Sequence, residues 1–182
     1  LFLTVNKDEP RVYTEIAVRA GSKHDPADTT GLAHYFEHMM FKGTDRLGSL
    51  DWENEKILLD QIEQKFEEHR KEQHPLKKKV LYAEIDLLSF EAAKLAAANE
   101  YDKLVSAIGA KGTNAYTWVE QTVYVNDIPS NELARWFELE SERFRRPILR
   151  LFHTELETVF EEYNISQDKD FRKTLKAMQE TL

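Results

Sequence analysis

Two stretches rich in β-branched and aromatic residues open the chain, residues 1–5 and 11–19, and the segment Asn6-Lys7-Asp8-Glu9-Pro10 between them has turn chemistry. The pattern predicts an antiparallel pair. A loop over 21–26 follows, and Thr29 or Thr30 is placed to cap a helix that runs through Leu32, His34, His38 and Phe41 until Gly43 ends it. Two strongly charged helical segments, 50–73 and 77–97, are separated by His74-Pro75, which predicts a helical hairpin. Leu59, Ile62 and Phe66 form an apolar stripe on the first. Leu81, Ile85, Leu88, Ala92 and Leu95 form one on the second, and the two stripes are expected to pack on each other. A short helix over 100–108 leads through Gly109-Ala110-Lys111-Gly112 to two adjacent strands, 113–119 and 121–126. Pro129-Ser130 opens a helix over 131–145 with Leu133, Trp136, Phe137 and Phe144 on its inner face, Pro147 closes it, and a last helix runs from 153 past 164. The fold class that follows is α+β, an antiparallel-rich sheet with helices packed on it and a protruding hairpin.

Composition narrows the possibilities. At 182 residues and 41% hydrophobic content the chain can bury one sizeable core, so a single domain spanning 1–182 is expected. A formal charge of −8 and a pI near 5.3 speak against nucleic acid or an anionic membrane surface as partner, because both reward basic patches. No run approaches the roughly 20 apolar residues of a membrane-spanning helix. Without cysteine, any metal must be held by histidine and carboxylate. The absence of an initiator methionine and of a helix stop at Thr181-Leu182 gives the expectation that the sequence is part of a longer chain.

The chemistry concentrates in His34-Tyr35-Phe36-Glu37-His38. At 3.6 residues per turn, histidines four apart stack on one helix face and can bind a single ion together. Glu37 projects from nearly the same side, placed to accept a proton from a metal-bound water without ligating the metal. Zinc lowers the pKa of bound water from about 15.7 towards 7, after which hydroxide attacks a polarised carbonyl. The flanking Leu32, Ala33, Phe36, Met39, Met40 and Phe41 would bury the imidazoles and leave them in need of a partner. A catalytic zinc takes three protein ligands, and the late helix offers Glu155, Glu157, Glu161 and Glu162 for the third. Glu155 and Glu162, seven apart, share one face; Glu157 and Glu161 share another.

The run Gly31-Leu32-Ala33-His34-Tyr35-Phe36-Glu37-His38-Met39-Met40-Phe41-Lys42-Gly43-Thr44 resembles the signature of the inverzincin metallopeptidases, the pitrilysin and insulinase family. The resemblance extends to Gly112-Thr113-Asn114-Ala115-Tyr116-Thr117 with Glu120-Gln121-Thr122-Val123-Tyr124, and to Glu155-Leu156-Glu157-Thr158-Val159-Phe160-Glu161-Glu162. It implies a LuxS/pitrilysin-like metallopeptidase domain and a zinc-dependent endopeptidase with His34, His38 and Glu162 as ligands. By the same resemblance Glu37 is the general base and Glu155 the carboxylate supporting the site. Asn114 and Ala115 would lie on an edge strand that takes a peptide or small-protein substrate as an added strand. The spacing between His38 and Glu162 is longer than the family's usual one, so residues 49–98 are expected to be an inserted helical hairpin, as in bacterial members. The resemblance also implies a homologous downstream domain or subunit that completes the active site, so that the fragment alone is inactive, and a bacterial periplasmic or envelope location. Two other readings remain. One is a non-catalytic structural subunit of the same family, which usually lacks part of the motif that is whole here. The other is a helical interaction module in which the hairpin is the functional part.

Overall fold

The computed structural model of the chain describes residues 1–5, 7–168 and 170–181. Three strands, β1 (Arg11–Val18), β2 (Lys111–Thr117) and β3 (Thr122–Pro129), make an antiparallel sheet in the order β1-β3-β2. β3 sits in the centre because its run Thr-Val-Tyr-Val-Asn-Asp-Ile-Pro is buried at nearly every position, as a strand covered on both faces must be. β1 pairs with it from Arg11 opposite Pro129 to Val18 opposite Thr122, and β2 from Lys111 opposite Asp127 to Thr117 opposite Thr122, with an irregularity between Lys111 and Asn114. The architecture is α+β.

The strand expected over 1–5 does not form. Leu1, Phe2, Leu3 and Val5 are exposed and carry no regular structure, and β1 takes its partner from β3 instead. A short terminal run bordering only a turn gains too little apolar burial to offset its ordering entropy.

The helices are α1 (Leu32–Met39), α2 (Trp52–Lys71), α3 (Pro75–Ala93), α4 (Glu100–Ala107), α5 (Leu133–Arg145), α6 (Phe152–Gln167) and α7 (Asp170–Thr181). The cap of α1 differs from expectation. Gly31, at φ 96°, is the N-cap, and the carboxylate of Asp25, rather than Thr29 or Thr30, accepts the N–H groups of Gly31 (2.7 Å) and Ala33 (2.8 Å). A side chain six residues upstream thus satisfies two of the donors that a helix start leaves open. α1 also stops at Met39, and turns carry the chain on to Gly43.

Asp51 caps α2 through the N–H of Asn54, and Pro75 is the first residue of α3, where its missing N–H costs nothing. The hairpin closes at its base: Leu50 N–H donates to Leu95 O (2.7 Å) and Ala97 N–H to Gly48 O (2.9 Å). α3, expected to have one apolar stripe, has two. Ile85 and Ala92 are buried on one side, whereas Leu76, Val80, Leu87 and Phe90 are exposed on the other. On α5 the expected inner face is also corrected. Trp136 is buried but Phe137 is exposed, and Glu140 and Arg143 take the inward places.

Those two charges are paired. Arg143 donates from Nε to Glu140 (3.0 Å), Tyr101 donates its hydroxyl to the same carboxylate, and the guanidinium lies 4.3–5.2 Å from the ring centroids of Tyr101, Tyr124, Phe144 and Phe41. A second buried arginine, Arg150, holds Glu55 of α2 through Nε (2.8 Å) and Nη2 (3.1 Å). It also donates to the carbonyls of Lys42, Thr44 and Leu47 at 2.7–2.8 Å. The loop leaving α1 is therefore wrapped around one guanidinium, and Gly43 and Gly48 leave no room there for a Cβ.

Candidate metal centre

α1 and α6 face each other across Tyr35, Met39, Phe152 and Val159, with the Tyr35 hydroxyl donating to Phe152 O at 2.7 Å. This packing sets the histidines of α1 against the glutamates of α6. His34 Nε2 and His38 Nε2 lie 3.2 Å apart, and Glu162 Oε2 lies 3.6 Å from the first and 3.5 Å from the second. Among the described residues these three form the one group of histidines and acids able to share a cation. Glu157 and Glu161 point elsewhere and are exposed.

Zinc arms of about 2.1 Å in a tetrahedral arrangement put neighbouring ligand atoms about 3.4 Å apart, so separations of 3.2, 3.5 and 3.6 Å fit. The proton inventory agrees. His38 Nδ1 is 2.9 Å from Glu155 Oε1, an acceptor, so the ring's hydrogen belongs on Nδ1 and Nε2 presents a lone pair towards the Glu162 carboxylate. Electron pairs converging in this way call for a cation.

Glu155 is buried and is also bound by Lys42 Nζ at 2.5 Å. Lys42 escaped sequence reasoning, since a lysine in the last turn of a helix reads as solvated. The histidines are less enclosed than their apolar neighbours suggested: the side chain of His34 is 39% exposed, that of His38 18% and that of Glu162 49%. The packing of α6 covers only one side of α1 and leaves the ligand group open on the other.

Glu37 is buried and turns towards the sheet, where Thr117 Oγ1, at the end of β2, donates to its Oε2. Thr117 Oγ1 is 3.2 Å from Thr122 Oγ1, which donates to Ala20 O at 2.8 Å. Neither threonine was legible as a site residue, because 80 positions separate Thr117 from Glu37. Val18, Leu32, Phe36 and Tyr124 line an apolar groove that reaches Glu37. Burial pushes the Tyr124 hydroxyl up to about 12; Arg143 opposes this and Glu37 adds to it. Asn114 and Ala115 stand on β2 opposite Val125 and Tyr124, and the other side of β2 is an edge of the sheet.

Residues 1–74 match the model of the insulinase family of peptidases, M16. The fold of the whole chain is similar to a solved structure, the first half of the periplasmic protease PqqL from Escherichia coli, with a TM-score of 0.53 and 20% identity. The likeness to the insulinase family thus rests on the first 74 residues and on the fold. The structural match covers 92% of this chain and 27% of the other, so the chain spans about a quarter of its structural relative. No curated protein matches its sequence. The matched family is one of peptidases, and the solved structure with the similar fold is half of a protease. No helix among the described residues is long and apolar enough to cross a membrane.

Proposed function

We propose that this chain carries the metal-binding part of a zinc endopeptidase, with His34, His38 and Glu162 as ligands and Glu37 as general base. The observation that carries the reading is the convergence of one carboxylate and two imidazole atoms from α1 and α6 at the edge lengths of a zinc tetrahedron. Bound there, zinc would polarise the scissile carbonyl and acidify a water molecule. Glu155 holds the His38 ring in the tautomer that leaves Nε2 free. Thr117 occupies Oε2 of Glu37 and leaves Oε1 to take the proton of the attacking water. The free edge of β2, with Asn114 and Ala115, would take the substrate as an added strand, whose main-chain hydrogen bonds tolerate many sequences.

The spacing of the family motif is kept in this reading by treating 49–98 as an insertion. Support comes from the hydrogen-bonded neck at Gly48, Leu50, Leu95 and Ala97, which brings the two ends of the hairpin together. A further domain or subunit is expected to complete the active site, in line with a relative more than three times as long. That relative is a periplasmic protease, which favours a bacterial envelope location for this chain.

The test is zinc content under competitive chelator titration, for the parent and for Glu162→Gln and His38→Ala. Stoichiometric zinc weakened in both variants is the expected result. A folded parent that retains no zinc after saturation and desalting would overturn the ligand set and favour the structural-subunit reading.

A further inference from the structure

The outer face of α3 is largely exposed, with Lys94 Nζ 4.6 Å from the Phe90 ring centroid. Leu76, Val80, Ala83, Leu87 and Phe90 recur at alternating spacings of four and three, on the side of the helix opposite Ile85. Leu76, Val80, Leu87 and Phe90 are 67, 59, 64 and 63% exposed. An amphipathic surface helix has one such stripe, and a helix apolar on two faces is built for two partners. α2 occupies the inner face, through the apolar side that includes Ile85. The alternation of four and three is that of a coiled-coil seam, in which a second helix lies alongside.

Charge selects the second helix. Beside the seam, the first half of α3 carries Lys77 and Lys79, and the second half carries Glu84, Asp86 and Glu91. Glu84 is held by Lys65 of α2 (2.8 Å) and Glu91 by Lys94 (2.7 Å), while Lys79 and Asp86 make no ion pair with described residues. A helix basic in its first half and acidic in its second is complementary to a copy of itself running the other way.

We infer that the outer stripe of α3 is a self-association surface, on which two copies of this chain pair antiparallel about Ala83. In that arrangement Leu76 meets Leu87 and Phe90 of the other copy, Val80 meets Leu87, and the small Ala83 side chains let the helices approach at the centre. Lys79 falls opposite Asp86 twice, once on each side of the two-fold axis. A parallel pair would match Lys79 with Glu84 but set the acids Asp86 and Glu91 against each other. The seam from Leu76 to Phe90 is about 21 Å long, short for a protein interface, so the dimer is expected to be reversible and roughly micromolar. The pairing is independent of the metal centre.

Sedimentation equilibrium of the whole chain tests it. The parent should form a dimer whose constant is unchanged by chelator, and Leu87→Lys should be monomeric. Lys79→Asp should weaken the dimer at least about tenfold, and adding Asp86→Lys to it should restore the parental constant. All these positions are exposed, so helix content by circular dichroism should hold in every variant. If Leu87→Lys nevertheless loses helix, the charge reversal and its rescue decide alone. A parent that stays monomeric at high concentration would overturn the inference and assign the stripe to another polypeptide. So would a dimer indifferent to Leu87→Lys in a folded variant, or a double charge reversal that fails to restore association.

Discussion

His38 shows how one side chain is specified from two directions. Its Nε2 faces His34 and Glu162, and its Nδ1 is fixed by Glu155, itself bound by Lys42. Removing a carboxylate that orients a ligating imidazole typically costs 10–100-fold in metal affinity. Glu155→Ala should therefore weaken zinc binding by about that factor with the helices intact, as read by chelator competition; parental affinity would reduce the contact to packing. Glu37→Gln separates binding from chemistry. It should keep its zinc yet abolish peptide cleavage once the completing domain is supplied, and measurable turnover in that variant would remove Glu37 from its role. The histidines and Glu37 were legible because four- and three-residue spacings translate directly into a helix face. Among the late glutamates, spacing alone left four possible third ligands; the family resemblance pointed to Glu162, and the docking of α6 on α1 brings that residue, rather than Glu157 or Glu161, to the histidines. Lys42 and Thr117 escaped notice because their partners are remote in sequence.

At the scale of elements, α3 invites a direct contrast. Ile85 is fully buried against α2 and Leu87, two residues on, is mostly exposed. Ile85→Ala should destabilise by about 2–5 kcal/mol. Leu87→Ala should change the stability of the monomer by no more than about 0.5 kcal/mol. Urea unfolding at a concentration below dimer formation distinguishes the two, and equal effects would contradict the placement of the helix faces. Periodicity revealed the stripe through Leu81, Ile85, Leu88 and Ala92, but the outer stripe satisfies the same rule, and a helix read singly does not say which face its neighbour covers. The loop leaving α1 poses another element-scale question, since Arg150 ties it to α2 through Glu55 with both side chains buried. Taking away one member of a buried ion pair strands the other charge at a cost of about 3–5 kcal/mol. Arg150→Met should thus lower stability by that much and loosen the 42–48 loop, visible as faster amide exchange there. A loss below about 1 kcal/mol would show the pair to be dispensable.

For the molecule as a whole, alkaline pH reports on the core shared by the sheet, α4 and α5. Burial raises the hydroxyl pKa of Tyr124 from 10.0 to about 12 and raises Tyr35 and Tyr101 in the same direction. For a phenol with a raised folded pKa, the folded state retains its proton where the unfolded state has lost it. Its stabilisation is complete below pH 10 and disappears as pH climbs through 12. Ultraviolet titration should show the exposed tyrosines ionising first and the buried ones only in a cooperative step that coincides with loss of far-ultraviolet dichroism. Early, non-cooperative ionisation of all seven tyrosines would contradict the buried cluster.

The sequence by itself determined the order and type of most elements, the helix bearing His34, Glu37 and His38, the hairpin and the adjacent strands β2 and β3. These rest on local spacing, turn residues and proline positions, which act over a few residues. Only the tertiary structure decided what depends on contact between distant segments. It withheld a strand from residues 1–5, capped α1 with Asp25, and placed Glu140 and Arg143 inside where Phe137 was expected. It also turned Glu162 towards the histidines and left the outer stripe of α3 largely exposed. The physical reason is common to all of these. A residue's type fixes which interactions are favourable, but burial and partner are fixed by which surfaces the folded chain brings together.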